Sequence, residues 1–166
     1  MKSVILGAAG QLGRVMASRA AARGHAVVAL TRRDGDVTRP DTLADVLRAA
    51  APDVVFNCAA YARVDEAEDE PDVALAANAW AVRDLARMSR ELGFTLVHYS
   101  TDFVFEGRAG DPHRESDPIN PRGVYATSKR LGEQFAAECP ASYTLRVESL
   151  FGGPQAIDQR VDAALG

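Results

Sequence analysis

Tyr125 and Lys129 are the pair best suited to chemistry. They stand four apart in Val124-Tyr125-Ala126-Thr127-Ser128-Lys129, and residues four apart on a helix share one face. A free phenol ionises at about pH 10, too high for proton transfer at neutral pH. An ammonium one helical turn away stabilises the phenolate and brings it toward the working range. Tyr125 is therefore expected to protonate a carbonyl oxygen while a hydride reaches the carbon, the alternative being a solvated surface pair. The choice of lysine is itself informative. Of the 19 Lys and Arg, only Lys2 and Lys129 are lysine, so arginine serves wherever a generic surface cation is needed.

A hydride needs a donor, and a second group of residues is suited to holding one. Gly7-Ala8-Ala9-Gly10-Gln11-Leu12-Gly13 lies between a strand-length apolar run, Val4 to Leu6, and a helical stretch. Glycines there permit a tight turn, close approach of the backbone to a pyrophosphate, and close helix–strand packing, with the helix-terminal amides facing the phosphates. The next strand ends in Leu30-Thr31-Arg32-Arg33. Guanidiniums suit a 2′-phosphate better than a ribose hydroxyl, so NADP(H) is the preferred coenzyme. Asp34 and Asp36 nearby keep NAD(H) possible. A third group, Tyr99-Ser100-Thr101-Asp102-Phe103-Val104-Phe105, closes the fourth strand, where the Thr101 hydroxyl is placed to hydrogen-bond the oxygen that Tyr125 protonates. His98, one step earlier, reads as structural.

The elements that position these groups alternate between strand and helix: strands at 4–6, 26–30, 54–57, 95–100 and 143–147, helices at about 12–23, from Pro40 to before Pro52, 71–92 and 125–138, and a short amphipathic one from Gln155 to Leu165 within 153–166. That alternation predicts an α/β fold, a Rossmann-type doubly wound parallel sheet. The expected strand order is 3-2-1-4-5, with ligands seated where the order reverses, between strands one and four. At 166 residues the chain is one domain's worth, 1–166, able to bury roughly 70% of its unfolded surface. Net charge −4 speaks against nucleic-acid binding, and no apolar run approaches the roughly 18 residues of a membrane span. The start, Met1 to Gly7, lacks a signal-peptide pattern, which points to the cytoplasm. Cys58 and Cys139 form no metal-type spacing, so no metal is expected. The acidic run Asp65 to Glu70 precedes a helix, where carboxylates are favoured by the dipole.

Taken together, these motifs resemble the extended short-chain dehydrogenases/reductases, and within them the dTDP-4-dehydrorhamnose reductase family. The likeness rests on the glycine turn, Asp36-Val37-Thr38, Asn57-Cys58-Ala59-Ala60-Tyr61 with Val64-Asp65 and Ala67-Glu68, Ser100 to Gly107, and Val124 to Lys129 with Gly132-Glu133. The resemblance implies that Gln11 and Leu12 contact the pyrophosphate, Asp36 and Val37 the adenine, and Ala59, Ala60 and Tyr61 the ribose side. It makes Thr101, Tyr125 and Lys129 a catalytic trio, with Asp102 near the sugar and Lys129 also gripping the nicotinamide ribose. The reaction it implies is reduction of a 4-keto nucleotide sugar. Two features depart from the family. Ser149 stands where a tryptophan is common, and the C-terminal substrate-binding domain is expected to be absent. An alternative reading is a non-catalytic NAD(P)-binding module, similar to the regulatory subunit of methionine adenosyltransferase, or an inactive fragment. A dehydratase is disfavoured because Phe103 replaces the acid of Thr-Asp-Glu. The fifth strand is expected to be a sheet edge open to self-association or a partner subunit.

Overall fold

The computed structural model describes residues 1–107 and 112–151; the helix expected within 153–166 lies outside them. Strand β1 (Lys2–Leu6) is followed by α1 (Gln11–Ala22), β2 (Ala26–Leu30), α2 (Pro40–Ala50) and β3 (Val54–Asn57). A long helical run follows, made of α3 (Pro71–Leu75), a π-turn (Ala76–Trp80) and α4 (Ala81–Leu92). Strand β4 (Thr95–Thr101), a 3-10 turn (Asp102–Val104), α5 (Gly123–Ala136) and β5 (Ser142–Val147) complete the order. Pro40 and Pro71 open their helices at the first position, where a missing N–H costs nothing.

All five strands are parallel, in the order 2-1-3-4-5. The doubly wound class holds, and the expected order 3-2-1-4-5 is corrected. Strand β3 pairs with β1, from Ser3 opposite Val54 to Leu6 opposite Asn57, rather than lying outside β2. The reason lies in the side chains. Strand β3 carries apolar residues toward both faces and Val55 is fully buried, which suits a central position. Strand β2 is half-exposed along most of its length, as an edge is. Among the described residues β2 pairs with β1 alone. The order therefore reverses between β1 and β3, not between strands one and four.

The core follows from this arrangement. Val4, Ile5, Leu6, Val55 and Leu96 of the central strands are fully buried. Leu43 and Leu47 of α2 and Val82 and Leu85 of α4 pack over one face, with α4 touching both α2 and α5. Helix α1 lies against β1 and β2 on the other face, as right-handed crossovers that change direction require. Among the described residues no helix is long and apolar enough to cross a membrane.

Candidate active site

The turn after β1 is shaped by what its glycines lack. Gly7 has φ +71°, and a Cβ there would come within 2.8 Å of the Ala59 nitrogen. A Cβ on Gly13 would lie 2.3 Å from the Gly7 carbonyl oxygen, so α1 crosses β1 closely only because that atom is missing. The Gly10 amide donates to the Gly7 carbonyl at 2.9 Å, closing the turn. No described side chain caps α1 at Gly10.

This turn forms one wall of a cleft of about 560 Å³. Of the expected dinucleotide residues, Gly7, Gly10, Arg32, Asp36, Val37, Ala59, Ala60 and Tyr61 line it together. Gln11, Leu12, Gly13 and Arg33 are not part of its lining. Gln11 donates from Nε2 to the Leu150 carbonyl at 3.3 Å, tying α1 to the chain after β5. Arg33 misses the cleft, whereas Arg32 pairs with Asp36 at 3.3 Å. Asp36 also accepts from the Thr38 amide at 2.9 Å and the Thr38 hydroxyl at 2.7 Å. Burial opposes its charge, but these hydrogen bonds and Arg32 outweigh burial and hold the carboxyl below its ordinary value. The residues fit a dinucleotide: a glycine cradle that a Cβ would fill, a guanidinium at the rim and a carboxylate kept ionised.

The second cluster adjoins this cleft at Tyr61. Tyr61 packs with Ala67 and Ala74 in a small apolar cluster against which Val124 and Tyr125 lie. Thr101, at the end of β4, has its hydroxyl near the Tyr125 phenol and favours that phenol's ionisation. The Thr101 Oγ1 donates to Asp102 at 3.0 Å and accepts from the Phe103 amide at 3.2 Å. Phe103 meets the Tyr125 ring edge-on, with centroids 6.0 Å apart. Thr101, Asp102 and Tyr125 are thus brought together at the carboxyl end of β4, beside the cleft.

Lys129 is almost wholly buried and donates from Nζ to the Tyr99 carbonyl at 2.5 Å. Burial pushes its pKa down to about 8, against a partial pull upward from Glu133. The expected lowering of the Tyr125 phenol is not what the structure shows. Burial holds that phenol above its ordinary value, opposed by the nearby Thr101 hydroxyl and reinforced by Asp102. The lysine spends its donor on the Tyr99 backbone, so the ammonium braces α5 against β4. His98 is buried, and its Nδ1 lies 3.3 Å from Asn57 Nδ2, inside the sheet rather than at the mouth. Burial holds it well below its ordinary value, in line with a structural role.

Sequence reasoning missed Asn78. This buried residue of the π-turn accepts from the Tyr61 amide at 2.9 Å and donates to the Tyr61 carbonyl and to Ser128 Oγ, each at 3.0 Å. Ser128 in turn donates to the Tyr125 carbonyl at 2.7 Å. Asn78 therefore links the cleft wall to the helix that carries Tyr125. Its signal was an amide inside Ala76-Ala77-Asn78-Ala79, a stretch otherwise free of polar groups. The acidic run also works differently from expectation. Glu68 accepts from Val124, at the start of α5, and Glu70 accepts from the Tyr61 hydroxyl at 2.6 Å and from Arg63 at 3.0 Å. Among the described residues no group of His, Cys, Asp and Glu is placed to hold a metal ion.

Comparison with known families matches residues 1–158 to the RmlD substrate binding domain. The chain belongs to that family. It is 45% identical to a dTDP-4-dehydrorhamnose reductase of Burkholderia thailandensis over 138 residues, 83% of this chain and 46% of that protein. It is 40% identical to one from Streptomyces griseus over 162 residues, 95% of this chain and 53% of that protein. Among solved structures it resembles the Clostridium acetobutylicum dTDP-4-dehydrorhamnose reductase, with TM-score 0.91 and 33% identity, over 99% of this chain and 58% of that one. The Bacillus anthracis reductase in complex with NADP aligns with TM-score 0.87 and 32% identity, over 91% of this chain and 54% of that one. The chain spans about half the length of the curated RmlD-family relatives it matches.

Proposed function

We propose that this chain is the dinucleotide-binding and proton-delivering part of an NADP(H)-dependent reductase of a 4-keto nucleotide sugar. The observation that carries this reading is Tyr125, packed edge-on against Phe103 next to Thr101 and Asp102 and lying against Tyr61 of a glycine-cradled cleft. Its relatives are dTDP-4-dehydrorhamnose reductases, one of them with NADP bound. The assignment of 1–166 to one domain and to the cytoplasm belongs to the same proposal.

A bound nicotinamide dinucleotide supplies the hydride; the chain's own residues seat it and handle the proton. The turn at Gly7, Gly10 and Gly13, with Gln11 and Leu12 at the start of α1, offers backbone amides to the pyrophosphate. Of the cleft's lining residues, Arg32 would take the 2′-phosphate, Asp36 and Val37 the adenine, and Ala59, Ala60 and Tyr61 the ribose side. Tyr125 holds its proton at the phenolic oxygen, kept there by burial, and releases it to the substrate carbonyl oxygen as the alkoxide forms. Thr101 hydrogen-bonds that same oxygen, and Asp102 stands beside it for the sugar. Lys129 is charged below about pH 8 and fixes α5 against β4. Tyr125→Phe removes the proton donor and leaves the cleft intact. NADPH oxidation by a 4-keto nucleotide sugar should fall by about 10²–10⁴-fold with coenzyme affinity unchanged; full turnover in that variant would overturn the reading.

A second reading is favoured by one observation. Strand β5 is the edge of the sheet, with Tyr143 and Leu145 exposed along it and Phe151 beyond. In that reading the chain is an NAD(P)-binding module, similar to the methionine adenosyltransferase regulatory subunit, that works with a second copy or a partner subunit at this edge. NADPH binding without turnover, together with self-association or co-purification of a subunit, would favour it.

A further inference from the structure

The segment from Ala59 to Glu70 forms part of the cleft wall and then reaches across to α5. Among the described residues, two polar links join them. One is the Asn78 linkage between Tyr61 and Ser128. The other is Glu68, whose Oε1 accepts from the Val124 amide at 2.6 Å, 56 residues along the chain. Helix α5 has no side-chain cap from its own flanking residue, Arg122, so this remote carboxylate does the capping. The junction is built for close contact. Ala67, next to Glu68, is fully buried in the apolar cluster that includes Val124 and Tyr125. Gly123 has φ +77°, and a Cβ there would come within 2.6 Å of the same Glu68 oxygen. A carboxylate at a helix N-terminus satisfies an amide that the helix leaves unpaired and meets the positive end of the dipole.

We propose that Glu68 is a positioning residue of the site: by holding the Val124 amide it fixes the first turn of α5, so that Tyr125, the next residue, is held against Phe103 and the Tyr61 cluster. The same carboxylate ties that turn to the segment walling the dinucleotide cleft, so the proton donor and the coenzyme seat move as one unit. The importance of this for catalysis rests on the reductase reading; the positioning itself does not.

The test uses the whole chain with Glu68→Ala and with Glu68→Gln, which keeps an acceptor oxygen. Amide hydrogen exchange at Val124 and Tyr125 should speed up about fivefold or more in Glu68→Ala, the scale of a lost helix cap. It should stay near the native rate in Glu68→Gln, with α1 unaffected in both. The ultraviolet titration of the Tyr125 phenol, obtained by difference against Tyr125→Phe in each background, should drop toward the ordinary tyrosine value in Glu68→Ala and hold in Glu68→Gln. Faster exchange with an unmoved Tyr125 titration would make Glu68 a helix cap only and overturn the proposal. Exchange that rises equally in α1 would overturn it as well, because the effect would then be global. Failure of the unaltered chain to bind NADPH or NADH would sink the reductase reading and leave both Glu68 measurements standing.

Discussion

On the side of the cleft formed by the turn after β1, the shape of the chain follows from atoms that are missing. Gly7 and Gly13 let backbone meet backbone, and the close approaches they allow are to the turn itself and to the end of the adjoining strand β3. On the side formed by the 59–70 segment and α5, the shape follows from polar groups that reach across long stretches of chain: Asn78 to Tyr61 and Ser128, Glu68 to Val124, Lys129 to Tyr99. The first wall resists change by steric exclusion. The second is held by a small number of hydrogen bonds, each of which can be removed singly. In the proposed reading, dinucleotide binding depends on both walls, and proton delivery on the second.

The largest expected effect is therefore on the second wall. Asn78→Ala removes the partners of the Tyr61 amide, the Tyr61 carbonyl and Ser128 at once. Each buried group left unpaired costs about 1–3 kcal/mol, so denaturant titration should show a loss of about 4 kcal/mol. Gly13→Ala comes next. Its Cβ would meet the Gly7 carbonyl carbon and oxygen and the Ala8 Cα, all backbone atoms that cannot swing aside, so about 3 kcal/mol of overpacking is expected, with NADPH binding lost in a fluorescence titration. A reversal of this order would show that the hydrogen-bonded wall relaxes more readily than the steric one.

The difference between the walls also explains what could be read in advance. The glycine turn was legible because its residues are neighbours in sequence and their function follows from φ and from Cβ sterics. Tyr125 and Lys129 were legible because helical spacing alone puts them on one face. Strand order was not, since it depends on the side to which α2 carries the chain. Only the burial of Val55 between neighbours, set against the exposed flank of β2, decides that. Arg32 and Arg33 were indistinguishable until the turn after β2 sent one into the cleft and the other away. Glu68 was hidden among six consecutive residues of which five are acidic; nothing local separates the carboxylate that caps α5 from those in solvent. The expected effect of Lys129 on the Tyr125 phenol failed for a related reason. Spacing gives proximity along a helix, but the direction of the ammonium is set by the Tyr99 carbonyl on a different element.

That burial of Lys129 gives a pH test of the second wall. Below about pH 8 the folded chain holds an ammonium away from water that the unfolded chain keeps solvated, which costs stability. As pH rises from about 8 toward the ordinary lysine value of 10.5, the folded state sheds the proton while the unfolded state retains it. The cost is relieved over that window. The unaltered chain should therefore gain about 2–3 kcal/mol there relative to Lys129→Met, measured as the difference between the two in denaturant titrations at pH 8 and 10.5. Parallel pH profiles would mean that the lysine is solvated and does not brace α5.

The smallest expected effect falls at the rim of the first wall and separates the two arginines. Arg32 lines the cleft and is balanced against Asp36, while Arg33 does not line it. A 2′-phosphate offers Arg32 a stronger partner than a single exposed carboxylate contact does, because the fork can grip two oxygens. Arg32→Ala should therefore weaken NADPH about fivefold to tenfold and leave NADH nearly unchanged, with a transfer of preference toward NADH visible in paired titrations. Arg33→Ala should shift both coenzymes by about twofold or less, the scale of a solvated charge. Equal losses for NADPH in the two variants would mean that the phosphate lies outside the cleft rim, and the match between the glycine wall and an NADP-type dinucleotide would fail at the point where its charge is recognised.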